Sequence, residues 1–92
     1  MTTQEWICTD PDMNQWGRKI GDRTYEFKQD MKYPDGSIVN EELTIDLNLY
    51  SDEQIQDHLD TFGYNRSDML KEWGEEQTEW LIAECIFENE VV

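Results

Sequence analysis

Residues 24–49 read TYEFKQDMKYPDGSIVNEELTIDLNL, and the spacing of apolar side chains along this run decides the fold. In its first arm Tyr25, Phe27, Met31 and Tyr33 fall on one side, while Glu26, Lys28, Asp30 and Lys32 fall on the other. That two-residue period is the signature of a strand with one face covered and one wet. Pro34-Asp35-Gly36 follows. Proline presets the φ wanted at the second position of a turn and glycine accepts a positive φ, so the chain reverses. In the second arm Leu43, Ile45, Leu47 and Leu49 point inward, and Glu42, Thr44, Asp46 and Asn48 point outward. The run therefore predicts a long β-hairpin over residues 24–49. Ile38 and Leu43 stand on opposite parities, which suggests a bulge between Asn40 and Glu42.

C-terminal to the hairpin the period changes. Ser51 and Gln54 have the spacing of a capping box, and Asp52 and Glu53 place negative charge at the positive end of a helix dipole. A helix is expected from about Asp52 to Phe62, with Ile55, Leu59 and Phe62 as its apolar stripe. Gly63 supplies a left-handed stop and Tyr64 packs back on the last turn. Ser67 is read as the cap of a further helix carrying Met69, Leu70 and Trp73, which Gly74 stops or bends. The stretch 75–88 holds Trp80, Leu81, Ile82, Ala83, Cys85, Ile86 and Phe87. A helix wet on one side needs an apolar stripe of only about 100°. This arc is wider, so the stretch is either the central core helix or reserves a face for another chain.

N-terminal to the hairpin, residues 3–9 suit a short strand ending at Asp10-Pro11-Asp12. Residues 13–23 carry Met13, Trp16 and Ile20 at helix-like spacing, but Gly17 and Gly21 interrupt them, and a loop or short turn leading into a strand is preferred there. The expected fold is α+β: a three-stranded antiparallel sheet, made of the 24–49 hairpin and an N-terminal strand, packed by two to three C-terminal helices. A chain of 92 residues suits a single domain spanning 1–92.

Charge is the unusual quantity. Twenty-two acids against seven bases give −15. Residues 1–35 hold seven acids and five bases, whereas residues 36–92 hold fifteen acids and two bases, so the excess is concentrated in the second part. Such a surface repels nucleic acid and anionic membrane as direct ligands and favours basic protein. No run approaches the roughly 18 apolar residues that span a bilayer, and the N-terminus lacks the pattern of a secretory signal. A cytoplasmic protein is expected. Cys8 and Cys85 lie outside any C-x-x-C pattern and read as small buried apolar residues rather than a disulfide.

Candidate chemistry is sparse. His58, the one histidine, lies between Asp57 and Leu59, and helical neighbours point about 100° apart, so it reads as an exposed histidine. Asp10-x-Asp12-x-Asn14 opens like a calcium loop, but Gln15 stands where glycine is required and Gly21 where a bidentate glutamate belongs. Glycine-rich phosphate cradles and nucleophile elbows are missing from the sequence. The expectation is a non-enzymatic protein with no cofactor and no metal.

The acids are more informative once placed on the expected elements. Glu42 and Asp46 face outward on the second hairpin arm. Asp52, Glu53, Asp57 and Asp60 fill the wet side of the first helix. Glu72, Glu75, Glu76 and Glu79 cluster around Gly74 with little lysine to balance them. A surface serving solubility alone usually mixes signs. These ten residues are therefore the candidate partner-binding set, with Trp73, Tyr64 and Tyr50 as possible apolar anchors at the rim, although Trp73 and Tyr64 read first as core residues. In size, charge and mixed fold the chain resembles the small acidic proteins by which phages block nucleases, the anti-restriction and anti-CRISPR proteins. The resemblance rests on those properties and not on a motif. It implies an inhibitor that mimics phosphate charge, binds the basic surface of a nucleic-acid-binding protein or nuclease complex, and works in the host cytoplasm. The competing expectation is an interaction subunit or homodimer that uses the apolar face of 75–88, with acidity serving solubility only.

Overall fold

The computed structural model describes residues 5–91 and shows an α+β chain made of two compact units, Met1–Ile45 and Asp46–Val92. The first unit is a meander. Strands β1 (Ile7–Asp10), β2 (Gln15–Gly21), β3 (Thr24–Lys32) and β4 (Ile38–Asp46) form one sheet in the order β1-β2-β3-β4. β1 pairs antiparallel with β2, and β2 with β3. The part of the expected N-terminal strand at Thr3 and Gln4 lies outside the described residues.

The sheet thus has four strands where the sequence predicts three, and the additional one is β2. Its residues alternate, but in a disguised way. Gln15 and Gly17 are the buried positions, whereas Trp16, Arg18 and Ile20 take the partly exposed side. Gln15 is accommodated by hydrogen bonds: Thr9 Oγ1 donates to its Oε1 (3.1 Å), and its Nε2 donates to Gln29 Oε1 (3.2 Å). A buried amide is tolerated when so satisfied. Gly17 stands opposite Phe27.

On β3, Tyr25, Phe27 and Gln29 are buried, with the rings of Tyr25 and Phe27 6.4 Å apart. The inward pattern fades toward the hairpin end, where Tyr33 is exposed because the strand has ended at Lys32. The turn is as the sequence predicts. Gly36 N–H donates to Tyr33 O (2.9 Å), Tyr33 N–H donates to Ser37 O (3.0 Å), and Gly36 has φ +90°. Ser37 donates from both its hydroxyl and its amide to Asp35, and these bonds hold the Asp35 carboxyl below its usual range. Ile38 is exposed, which accounts for its being out of phase with Leu43.

β4 ends earlier than the alternation suggests. Asp46 accepts a hydrogen bond from Asn48 N–H (2.9 Å) and caps a 3-10 turn, Leu47–Leu49. A side chain that captures the backbone two residues on competes with the sheet ladder. Leu47 is buried, but Leu49, expected inward, is 78% exposed.

The second unit is helical. Helix α1 (Asp52–Asp60) begins with the full capping box: Gln54 N–H donates to Ser51 Oγ (3.1 Å) and Ser51 N–H donates to Gln54 Oε1 (2.9 Å). It ends on a left-handed Gly63 (φ +76°). Gly63 N–H donates to Asp60 O and Tyr64 N–H to Leu59 O, the paired bonds of a Schellman stop. Helix α2 (Arg66–Val91) starts on Asn65, not Ser67, because Asn65 Oδ1 accepts from Asp68 N–H (3.2 Å). It is broken at Gly74 (φ +82°, ψ 174°). Beyond the break, Thr78, Ile82, Ala83, Cys85, Ile86 and Phe87 are buried. The broad apolar arc of 75–88 is therefore that of a core helix. Among the described residues, no helix is long and apolar enough to cross a membrane.

Candidate functional site

The acids of the helical unit set its electrostatics. Asp46–Val92 carries thirteen acids and two bases, a balance of −11, against nine acids and five bases, −4, in Met1–Ile45. On α1, Ile55 and Leu59 are buried and Asp52, Glu53, Asp57 and Asp60 are exposed. At 100° per residue these four carboxylates fall within about 140° of one another. They share one face, and α1 contains no lysine or arginine. Asp52 takes an ion pair with Arg66 Nη1 (2.9 Å), and Asp60 accepts from Gln56 Nε2 (2.8 Å). The ion pair is open to water at its Asp52 end, so its stabilisation is small.

Glu72, Glu75 and Glu76 are exposed around the Gly74 break, and Glu79 is half-buried. Glu75 and Glu76 open the helical stretch that follows the break, where a helix N-terminus favours negative charge. Asp46 is half-buried and serves as the cap of the 3-10 turn. Glu42 is exposed but belongs to the sheet unit. The structure thus gathers Asp52, Glu53, Asp57 and Asp60 on one helix face and Glu72, Glu75 and Glu76 at one break.

Trp73 and Tyr64, whose first reading is as core residues, are 44% and 42% exposed. Tyr50 is half-buried; burial, and then the charge of Glu90, push its hydroxyl above the usual range. His58 is not an exposed residue. It is half-buried, its ring meets Tyr50 edge-on at 5.9 Å, and Asn89 Nδ2 lies 2.9 Å from its Nδ1. Those contacts give it a packing role between α1 and the end of α2.

Both cysteines are free. Cys85 is buried as expected, and burial, with Glu88 and Glu84 adding to it, pushes its thiol up to about 12. Cys8 is exposed, contrary to expectation. Asp10 spends a carboxylate oxygen on Asp12 N–H (3.0 Å) as a turn. Among the described residues, no group of three or more His, Cys, Asp or Glu is placed to hold a metal.

One feature of this unit is not anticipated by the sequence reading. A cleft of about 120 Å3 is lined by Phe62 and Tyr64 from the end of α1 and by Leu81, Glu84, Cys85 and Glu88 from α2. The four α2 positions recur at i, i+3, i+4 and i+7, the spacing of a single helix face, and that spacing is the signal available in the sequence.

Set against protein-family models, curated proteins and solved structures, the chain matches none of them.

Proposed function

We propose that the chain is a non-enzymatic inhibitor that binds the basic surface of a nucleic-acid-binding protein or nuclease complex, its helical unit substituting for phosphate charge. The observation that carries this reading is the exposed face of α1, where Asp52, Glu53, Asp57 and Asp60 stand together on a helix with no lysine or arginine. Duplex DNA carries one charge per roughly 1.7 Å of axis, and cationic channels bind it largely through phosphate contacts. Carboxylates fixed on a capped helix offer the same Lys and Arg side chains an alternative ligand, and long-range attraction speeds encounter. Acids alone lack apolar anchors. Tyr64 and Trp73, both exposed in this unit, supply aromatic area of the kind that dominates interface energetics.

Docking through the apolar arc of 75–88 has less support, because Ile82, Ala83, Cys85, Ile86 and Phe87 are buried. The test is capture of partners from lysate by the tagged chain at low salt, elution with salt, and a DNA-binding assay on the eluted complex. The proposal expects a nucleic-acid-binding complex whose DNA binding the added chain suppresses. A partner that ignores nucleic acid, or one held equally well at high salt, contradicts it.

A further inference from the structure

β4 closes one edge of the sheet and β1 the other, and the two edges differ. β1 spans four residues, and its pairing with β2 slips between Cys8 and Asp10. Shortness and a bulge blunt an edge against further pairing. β4 spans nine residues, IVNEELTID, without proline or lysine. Along it the N–H and C=O groups that point away from β3 have no strand to pair with among the described residues. An extended chain laid beside them would continue the ladder.

Side chains on both faces of this edge are accessible. Ile38 and Val39, neighbours and therefore on opposite faces, are 59% and 45% exposed. Glu42 is exposed and Glu41 half-buried, again on opposite faces, and neither side chain takes a hydrogen bond or ion pair among the described residues. These two carboxylates choose the occupant. A second copy paired antiparallel through the middle of β4 sets Glu42 against its own image, and a slip of one residue sets Glu41 against Glu42. Like charges directly opposite destabilise a strand pair, and each copy brings a net −15. A neutral strand takes water from the half-buried Glu41 and returns no partner. A strand with two adjacent basic residues meets both carboxylates, one on each face, while its other side chains cover Ile38 and Val39.

We propose that β4 receives an extended segment of the basic partner by strand addition, with neighbouring lysine or arginine side chains paired to Glu41 and Glu42. The inference rests on the function proposed above and assigns that partner a mode of docking. The test is a titration of the 15N-labelled full chain, at low salt, with an acetylated and amidated peptide in which a central lysine pair is flanked on each side by alternating threonine and valine. The control peptide carries proline in place of each valine, which keeps the charge and removes backbone donors. The expected result is saturable movement of the amide signals of residues 38–45 with slowed hydrogen exchange along β4. Binding should be about tenfold weaker for the control peptide, and about tenfold weaker for the chain with Glu41→Gln and Glu42→Gln. The control peptide leaves the chain unaltered, so the test does not depend on the variant's folding. Equal binding of the two peptides, signal movement confined to the α1 acids, or unchanged binding by the glutamine variant overturns the proposal. The two readings fail separately. Salt-sensitive partner capture without protection of β4 removes strand addition alone, whereas protection of β4 with salt-insensitive capture removes the surface reading alone.

Discussion

The sheet unit and the helical unit treat charge in opposite ways. In the sheet unit, bases and acids are interleaved and engaged. Arg18 pairs with Glu26 at 2.8 Å, and the Trp6 ring has the Arg18 guanidinium 4.3 Å and the Lys28 ammonium 4.2 Å from its centroid. Trp16 faces Lys28 across the strands, and Arg18 faces Glu26. In the helical unit two bases meet thirteen acids. Five of the seven bases lie between Arg18 and Lys32, and α1 holds none. The difference teaches that the charge excess is uneven: self-repulsion is concentrated in the helical unit, at −11, and is smaller in the sheet unit, at −4.

Reversing charge on α1 is the severest challenge to that contrast. Asp57→Lys with Asp60→Lys should weaken partner binding by a hundredfold or more, while Lys28→Glu on the sheet should leave it within a fewfold. Titration of the captured complex with each variant measures this, and equal losses from both would erase the distinction.

Gly74→Ala probes the break that separates the Glu72 side of the cluster from Glu75 and Glu76. An added Cβ there meets nothing within 4 Å, but φ is +82°, so the cost is backbone strain of about 1–3 kcal/mol, read by denaturant unfolding. A neutral outcome would mean that the helix straightens through this position.

A smaller test sets the two units side by side. Glu26→Gln removes the partner of the partly buried Arg18 and should cost up to about 1 kcal/mol. Asp57→Asn relieves repulsion on α1 and should leave the protein as stable or slightly more so. Thermal unfolding at low salt gives both signs, and destabilisation by Asp57→Asn would show that α1 acids are structurally engaged.

The mildest effect concerns the thiols. Since burial first, and then Glu88 and Glu84, keep Cys85 protonated to about pH 12, a thiol reagent at pH 8 should label Cys8 at once and Cys85 only on unfolding. The unfolded thiol ionises near 9 and the folded one does not, so stability is intact below 9 and declines as pH rises toward 12. Rapid labelling of both cysteines would contradict the burial.

Much of this was legible in the sequence, for identifiable reasons. The turn at Pro34-Asp35-Gly36, the capping box at Ser51 and the stop at Gly63 are local devices, each written in three or four residues and each formed as read. β2 was hidden because its buried positions are Gln15 and Gly17 while Trp16 and Ile20 take the other side, which inverts the apolar code. Gln15 can be inward only because Gln29 and Thr9 meet it, a nonlocal fact. Leu47–Leu49 continued the strand alternation on paper, but the Asp46 side chain diverts the backbone. The exposure of the α1 acids was legible because helical spacing fixes a face. The Phe62–Tyr64 cleft was not, since it needs the end of α1 brought against the 81–88 face of α2.

The salt dependence of partner binding tests the role of the α1 carboxylates most directly. Affinity of the captured complex for the chain, measured from about 50 to 200 mM NaCl, should fall by orders of magnitude along a straight line in log–log form, and Asp57→Lys with Asp60→Lys should flatten that line. A flat line for the unaltered chain, or the same slope for both proteins, would contradict the claim that the α1 carboxylates are the ligand.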